Sequence, residues 1–145
     1  MPQTSRNKPA RLTAHDLSVS LPRTVAAAVL GALGIAWIAV YLAASTRSSA
    51  LTWMADLGRW NFLIGFVLLF MGLIVAAHPG TPLGRGQGVV VGMLGCFLIG
   101  LAWIVVYYVT GQDQLVPLIR DLGQYNLLVG IGFMAVGFVY ATHWE

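Results

Sequence analysis

The chain has 145 residues, of which 58% are hydrophobic and only 9% are charged. A soluble globular domain carries about a quarter charged residues, so this composition argues against one. The charges are also segregated, and none lies between Arg59 and Arg85, between Arg85 and Asp113, or between Asp121 and Glu145. Such uncharged stretches predict a membrane protein that has the lipid bilayer as its solvent.

The formal net charge of +3 does not indicate a nucleic-acid partner, because half of the basic residues precede the first apolar run. These four residues are Arg6, Lys8, Arg11 and Arg23. Their position indicates a topology signal and contact with anionic lipid. The single cysteine, Cys96, lies inside an apolar run, which excludes an intrachain disulfide and a multi-cysteine metal site.

The first predicted span follows a polar N-terminal segment. Residues 1–22 are rich in Arg, Lys, Ser, Thr and Pro, and we interpret them as a flexible basic cytoplasmic tail. Residues 25–44 are an unbroken apolar run, which as a helix is about 30 Å long and matches the hydrocarbon core. A cleavable signal peptide is the competing interpretation, but its apolar region is usually about 7 to 15 residues.

Three further spans are predicted, at residues 62–77, 89–109 and 127–141. The first and last of these are short, so interfacial flanks or local thinning of the bilayer must complete the crossing. The flanking residues are Trp60, Asn61, Tyr125 and Asn126. Five Lys and Arg residues lie in the tail and the 79–88 loop, against three in the other loops, which predicts that both termini are cytoplasmic. The expected fold class is an all-α membrane protein with four transmembrane helices.

An internal repeat is the strongest organisational signal. Residues 34–41 (GIAWIAVY) return as 100–107 (GLAWIVVY), and residues 56–61 (DLGRWN) return as 121–126 (DLGQYN). Apolar composition alone cannot bring Asp, Asn, Trp and Tyr into register. We therefore predict two tandem two-helix repeats, related by a pseudo-two-fold axis along the membrane normal.

This repeat divides the chain into four parts. They are the tail at 1–22, a first two-helix unit at 23–78, a cytoplasmic connector at 79–88 and a second two-helix unit at 89–145. The connector holds the sequence GRGQG, which lacks the glycine spacing and the Lys-Ser/Thr pair of phosphate-binding loops. We interpret it as a flexible loop.

Glycines recur every seven residues near the second helix of each unit. They are Gly58, Gly65 and Gly72 in the first unit and Gly123, Gly130 and Gly137 in the second. This spacing places them on one helix face, where missing side chains let another backbone approach. We predict a helix-packing seam; the alternative is that glycine is simply frequent in membrane helices.

A short apolar stripe precedes each of the two short spans. Its members lie at i, i+4 and i+7, and they are Trp53, Leu57 and Trp60 in the first unit and Leu118, Leu122 and Tyr125 in the second. This pattern predicts a short helix lying in the membrane interface. It suits a docking surface and a partnerless membrane anchor equally well.

Chemistry-bearing residues are missing from the predicted spans, which hold no charged residue. Membrane enzymes and carriers usually keep such residues for their work, so we predict no catalytic residue, no cofactor and no enzyme activity. His78 and His143 lie at predicted cytoplasmic ends without Cys or carboxylate neighbours, which favours interfacial anchors over metal ligands. The same lack of an embedded carboxylate counts against a proton-coupled exporter.

The repeated segments resemble the CrgA family of small actinobacterial cell-division membrane proteins, whose members are typically two-helix chains with a basic N-terminal tail. The resemblance lies in the Gly-x-x-Trp-x-x-x-Tyr end of the first helix and in the segments LTWMADLGRWNFLIGF and GQYNLLVGIGFMAVGFVYATHW. It covers both units. This chain departs from the family in carrying two units and in its less basic tail.

This resemblance implies a non-enzymatic role at the division septum, where such proteins bind divisome components that include FtsZ and the septal penicillin-binding machinery. We therefore expect a multi-pass plasma-membrane adaptor, enriched at the septum, that binds divisome membrane proteins and FtsZ; homo-oligomerisation stays open. The candidate contact residues are Trp37, Tyr41, Trp60, Asn61, Trp103, Tyr107, Tyr125 and Asn126. The alternative role of each is an interfacial anchor or a helix start. The alternative function is a small four-helix transporter or channel-like protein, which requires a water-lined cavity at mid-membrane.

Overall fold

The computed structural model describes residues 19–46, 52–110 and 116–143, which fold into six α-helices. The helices are α1 (Leu21–Thr46), α2 (Thr52–Leu57), α3 (Trp60–Ala76), α4 (Gln87–Thr110), α5 (Pro117–Leu122) and α6 (Tyr125–Ala141). No strand occurs in the described residues, so the all-helical class predicted from the sequence is confirmed. Most of the predicted tail, residues 1–18, lies outside the described part of the chain.

Two helices are long and apolar enough to cross a bilayer. They are α1, over Leu21–Ala44, and α4, over Gln87–Thr110. Helix α1 begins before the predicted apolar run because Pro22 fits the first turn of a helix, where its missing N–H costs nothing. Helices α3 and α6 are apolar but shorter, with 17 residues each, or about 25 Å.

The four helices of 17 residues or more pack in two pairs. Helix α1 lies along α3 and helix α4 lies along α6, while α3 and α6 meet at the centre of the molecule. The short helices α2 and α5 immediately precede α3 and α6. The central core includes Phe62 and Phe66 of α3 and Val129 and Phe133 of α6. Each pair corresponds to one copy of the sequence repeat.

Glycines bring the backbones of α1 and α3 into direct contact. A Cβ atom on Gly34 would lie 2.5 Å from the carbonyl oxygen of Gly65 and 2.6 Å from the backbone nitrogen of Leu69. A Cβ atom on Gly72 would lie 2.6 Å from the backbone nitrogen of Gly31. Side chains cannot fit at these crossings, so the two helices approach as closely as small residues allow.

The second unit repeats the first of these crossings. A Cβ atom on Gly100 would lie 2.7 Å from the carbonyl oxygen of Gly130. The side chain of Ile104 covers Gly130 in the same way that Ile38 covers Gly65. The duplicated sequence therefore builds the same helix contact twice.

At the other crossing the two units differ. Gly137 of α6 faces the ring of Phe97, whose atoms would lie 3.3 Å from an added Cβ. In the first unit Gly31 stands at the position that matches Phe97, and it brings backbone rather than an aromatic ring to the contact with Gly72. The α4–α6 pair is therefore packed through a side chain where the α1–α3 pair is packed through backbone.

Gly58 and Gly123 have a different role from the packing seam expected for them. Their φ angles are 52° and 53°, a region that L-residues rarely adopt, and an added Cβ atom would meet nothing within 4 Å. Each lies between a short helix and the helix that follows it. These two glycines serve the turn of the backbone, not the approach of a neighbour.

The connector between the units is more closely built than the flexible loop expected from its glycines. The Thr81 side chain is buried; its hydroxyl lies within hydrogen-bond reach of the Ala76 carbonyl and accepts from the Gly84 N–H at 3.1 Å. The N–H of Ser20 donates to the Gly80 carbonyl at 2.8 Å. The Thr81 bonds hold the connector to the end of α3, and the Ser20 bond joins it to the start of α1.

Candidate interaction surface

A buried asparagine joins α2 to α3 in the first unit and α5 to α6 in the second. In the first unit Asn61, the second residue of α3, is fully buried. Its Nδ2 donates to the carbonyl oxygens of Met54, at 2.6 Å, and Gly58, at 3.0 Å. Because both acceptors belong to α2 and its turn, the amide fixes the angle at which α2 meets α3.

The second unit uses Asn126 identically. This residue is also fully buried, and its Nδ2 donates to the carbonyl oxygens of Ile119, at 2.6 Å, and Gly123, at 2.8 Å. Asn61 and Asn126 were both expected as candidate partner contacts, with a helix cap as the alternative. The structure instead buries both side chains as internal links, so neither is accessible to a partner.

The candidate contacts on the long helices are half-buried and pack against aromatic rings. The ring pairs and centroid distances are Trp37 with Trp53 at 5.9 Å, Tyr41 with Phe62 at 5.0 Å, Trp103 with Phe66 at 5.8 Å and Tyr107 with Tyr108 at 5.3 Å. Trp37 and Tyr41 thus stay within the first unit. Trp103 crosses to α3 and takes part in the contact between the units.

The two remaining candidates, Trp60 and Tyr125, are exposed. They begin α3 and α6 and are 66% and 52% exposed, respectively. They occupy matched positions of the repeat, each directly before a buried asparagine that holds the local backbone in place. Both aromatic side chains therefore project from rigid supports at the same end of the molecule.

An apolar groove separates these two side chains. Its volume is about 570 Å³, and it runs between α3 and α6 from Arg59 down to Phe70. Phe66 and Val129 are buried beneath it, while Leu128 is exposed at its edge. Among the described residues that line it, Arg59 is the only charged one. A transporter needs a polar, water-lined path, and this groove does not supply one.

Sequence reasoning missed the contacts that hold the two units together. The ring of Phe70 fills the space above Gly132, where an added Cβ would lie 2.6 Å from its Cζ, and it packs on Phe133 at 5.1 Å. The hydroxyl of the fully buried Tyr140 donates to the Leu73 carbonyl at 3.2 Å.

The signal for these contacts lies where the two repeats disagree. Val67 stands at the position that matches Gly132, and Val75 at the position that matches Tyr140. The glycine crossing at Gly34 and the asparagine links, which act inside a unit, use the same residue types in both copies. Phe70, Gly132 and Tyr140, which join the units, are matched by other residue types, because this part of the joint is asymmetric.

The two matched histidines have unlike surroundings. Nδ1 of His78 accepts from the Gly80 N–H at 3.0 Å and lies 3.4 Å from the Arg23 guanidinium. Nδ1 of His143 lies 2.8 Å from the Val139 carbonyl, so it must donate. Among the described residues no three metal-binding side chains come together.

Comparisons with known proteins place these features in a family. The sequence model of the family described as cell division protein CrgA matches residues 1–78 and 84–145. A cell division protein CrgA of Streptomyces avermitilis is 55% identical over 53 residues, which are 37% of this chain and 60% of that protein.

Other relatives with the same description are more distant. That of Corynebacterium aurimucosum is 36% identical over 53 residues, 37% of this chain and 56% of the relative. That of Mycobacterium ulcerans is 39% identical over 46 residues, 30% of this chain and 50% of the relative. The matches thus cover 60% or less of the length of each of these three relatives. No solved structure matches the chain. Since the family match extends over both two-helix units, the chain belongs to the CrgA family of cell division proteins.

Proposed function

We propose that this protein is a non-enzymatic membrane adaptor of cell division. It crosses the plasma membrane four times, with both termini in the cytoplasm, and it binds divisome proteins through exposed aromatic residues and through its tail. The family match over both units is the observation that carries the proposal. The exposed apolar helices support its membrane arrangement. The exposure of Trp60 and Tyr125 supports these two residues, rather than the buried asparagines, as its contact surface.

The exposure of the long helices supports membrane crossing. Less than a quarter of the apolar window of α1 or α4 is buried within the protein. Side chains such as Ile35 and Leu98 are 59% and 64% exposed. Apolar surface on this scale is unfavourable in water but suits lipid. Because α3 and α6 pack along α1 and α4, we infer that they cross the bilayer beside them.

Trp60 and Tyr125 form the proposed contact surface with divisome membrane proteins. Trp and Tyr are enriched among residues that dominate binding energy, since they bury much area at little entropic cost. Both side chains are exposed, and both stand on backbone that a buried asparagine fixes. Pre-positioned aromatic side chains lose less freedom on binding than mobile ones do. The basic segment at 1–22 is proposed to reach cytoplasmic partners, FtsZ among them.

The test is the position of a functional fluorescent fusion of the full chain in dividing cells. We expect enrichment at the septum, and loss of at least half of that enrichment in the double variant Trp60→Ala, Tyr125→Ala. Membrane insertion should persist, because neither side chain is buried. The matched control is Tyr108→Ala, which removes another strongly exposed aromatic side chain, 67% exposed, from α4.

Either of two results contradicts the proposal. A uniform membrane signal of the wild-type fusion throughout division overturns the septal role. Equal loss of enrichment in Tyr108→Ala and in the double variant shows that any aromatic residue near the interface suffices, which removes Trp60 and Tyr125 as the contact surface.

A further inference from the structure

We propose that the groove between α3 and α6 binds one anionic phospholipid, with an acyl chain between the helices and the phosphate at Arg59. This inference rests on the four-span arrangement proposed above, but it does not depend on any cell-division partner. Three features of the groove carry it: its dimensions, its lining and the single charge at its end.

The dimensions of the groove fit a lipid chain. Arg59 and Phe70 mark its two ends along α3, and the eleven residues of helical rise between them span about 16 Å. An acyl chain covers half of the ~30 Å hydrocarbon core, or about 15 Å. A chain of that length and about 5 Å width occupies on the order of 300 Å³, which the groove of about 570 Å³ holds.

A transmembrane helix of a partner fits the same space poorly. With its side chains a helix is about 10 Å wide, so a length matching α3 occupies on the order of 2,000 Å³. Most of such a helix would remain outside the groove. The space between α3 and α6 is therefore suited to a narrower apolar occupant.

The lining of the groove suits both parts of a phospholipid, the acyl chain and the headgroup. Below the mouth the walls are apolar, with Leu63 and Val67 on α3 and Ile131 on α6 each about half exposed. At the mouth stand Trp60 and Tyr125, side chains that favour the level of lipid headgroups. The acyl chain would thus contact apolar side chains, and the headgroup would lie beside the interfacial aromatic side chains.

Arg59 makes the mouth selective for negative charge. Its side chain is exposed, and among the described residues it has no ion pair; Asp56, one turn earlier, does not pair with it. Of the residues that the structure describes, the other arginine at this end is Arg120, which is already paired with Asp121 at 3.2 Å. A guanidinium provides up to five N–H donors in a fork that suits phosphate oxygens.

The second repeat shows that this charge belongs to only one side of the groove. Gln124 occupies the position that matches Arg59. One charge at one mouth implies one headgroup for each chain. It also supplies a safe test variant, because Arg59→Gln places at this position the residue that the second unit already carries there.

Native mass spectrometry of the full chain in detergent tests the proposal directly. The probes are phosphatidylglycerol and phosphatidylcholine with identical acyl chains, titrated against the wild type. We expect one retained lipid per chain and about fivefold preference for phosphatidylglycerol, equivalent to about 1 kcal/mol. Arg59→Gln should bring the two lipids to near equality, while Arg120→Gln, outside the groove, should keep the preference.

A second pair of variants tests the groove rather than the charge. Val67→Trp fills the space between α3 and α6 and should reduce retention of both lipids severalfold. Ile74→Trp adds the same ring two turns along α3 at a residue outside the groove, and it should retain lipid as the wild type does. Equal melting temperatures of the two variants would exclude unfolding as the cause.

Several outcomes overturn the proposal. Equal retention of the two lipids by the wild type does so, and so does a preference that survives Arg59→Gln. A dimer that Val67→Trp abolishes, without change in lipid binding, assigns the groove to a second copy of the chain. Unchanged lipid binding in Val67→Trp with loss of the septal fusion signal assigns it to a protein partner.

Discussion

Asn61 and Asn126 show how a polar side chain can be required at a membrane surface without touching anything outside the protein. Each uses both hydrogens of its amide on carbonyl oxygens seven and three residues earlier. Three of these four oxygens also accept a backbone N–H, Gly58 from Asn61, Ile119 from Gly123 and Gly123 from Asn126. The amide therefore adds further bonds across the turn, and its own two N–H donors, which would be costly to bury unpaired, both find acceptors.

This arrangement predicts a large effect of a nearly isosteric change. Asn61→Asp keeps the shape but replaces the Nδ2 group, which carries both N–H donors, with one carboxylate oxygen that faces two carbonyl oxygens. We expect the free energy of unfolding to fall by about 1 to 3 kcal/mol, measured by thermal unfolding in detergent micelles. Gln124→Glu makes the same change of charge at an exposed residue and should leave stability nearly unchanged. Equal melting temperatures for the two variants would show that the amide link carries no stability.

At the scale of elements, the pairing of α1 with α3 depends on where side chains are absent. Apolar burial does not drive helices together in lipid, so close backbone approach and dispersion must do so. Gly34 and Gly65 supply this approach in the first unit, and Gly100 and Gly130 supply it in the second. The seam is thus a property of helix pairs, not of the α3 and α6 sequences alone.

Glycine to alanine substitutions within one helix test this view. Gly34→Ala places a methyl group against backbone atoms of α3 that cannot rotate away, and we expect a loss of about 1 to 3 kcal/mol. Gly31→Ala, one turn earlier, meets nothing within 4 Å and should be neutral or slightly stabilising. Thermal unfolding of both variants in the same detergent decides between them. A destabilisation by Gly31→Ala as large as that by Gly34→Ala would mean that helix flexibility, rather than packing, explains the glycines.

The elements themselves were largely predictable, while their contacts were not. Apolar length placed α1, α3, α4 and α6 to within about four residues, and the i, i+4, i+7 stripes indicated the short helices α2 and α5. The last member of each stripe, Trp60 or Tyr125, was wrongly placed on the short helix, because a turn at Gly58 or Gly123 ends that helix first. Periodicity could not distinguish Gly58, which serves a turn, from Gly65, which serves a crossing, because both lie on the same seven-residue spacing. Burial of Asn61 depends on how the turn before α3 folds back, which sequence spacing does not reveal.

At the scale of the whole molecule, duplication produced two similar units and an asymmetric joint. Within each unit the glycine crossing and the asparagine link are the same. Between units, Phe70 packs on Gly132, whereas the matched positions hold Ala135 and Val67. A chain with two covalently linked copies can let each copy change separately. The charge of Arg59 against the neutral Gln124 is a further change of this kind, and it gives the two sides of the groove different properties.

The four-span arrangement makes the last prediction, since α3 and α6 are each about 25 Å long against a hydrocarbon core of about 30 Å. In a Cys96→Ser background, single cysteines replace exposed residues near both ends of α3 and α6. These residues are Asp56 and Gln124 at one end and Pro82 and Thr142 at the other. We expect a membrane-impermeant maleimide to label Asp56→Cys and Gln124→Cys in intact cells, because the proposed four-span arrangement puts both on the outer side. Pro82→Cys and Thr142→Cys should react only after permeabilisation, and the background itself should stay unlabelled. Labelling of Thr142→Cys from outside would show that α6 does not return to the cytoplasm. The second unit would then cross the membrane only once, and two repeats that share sequence and helix contacts would differ in topology.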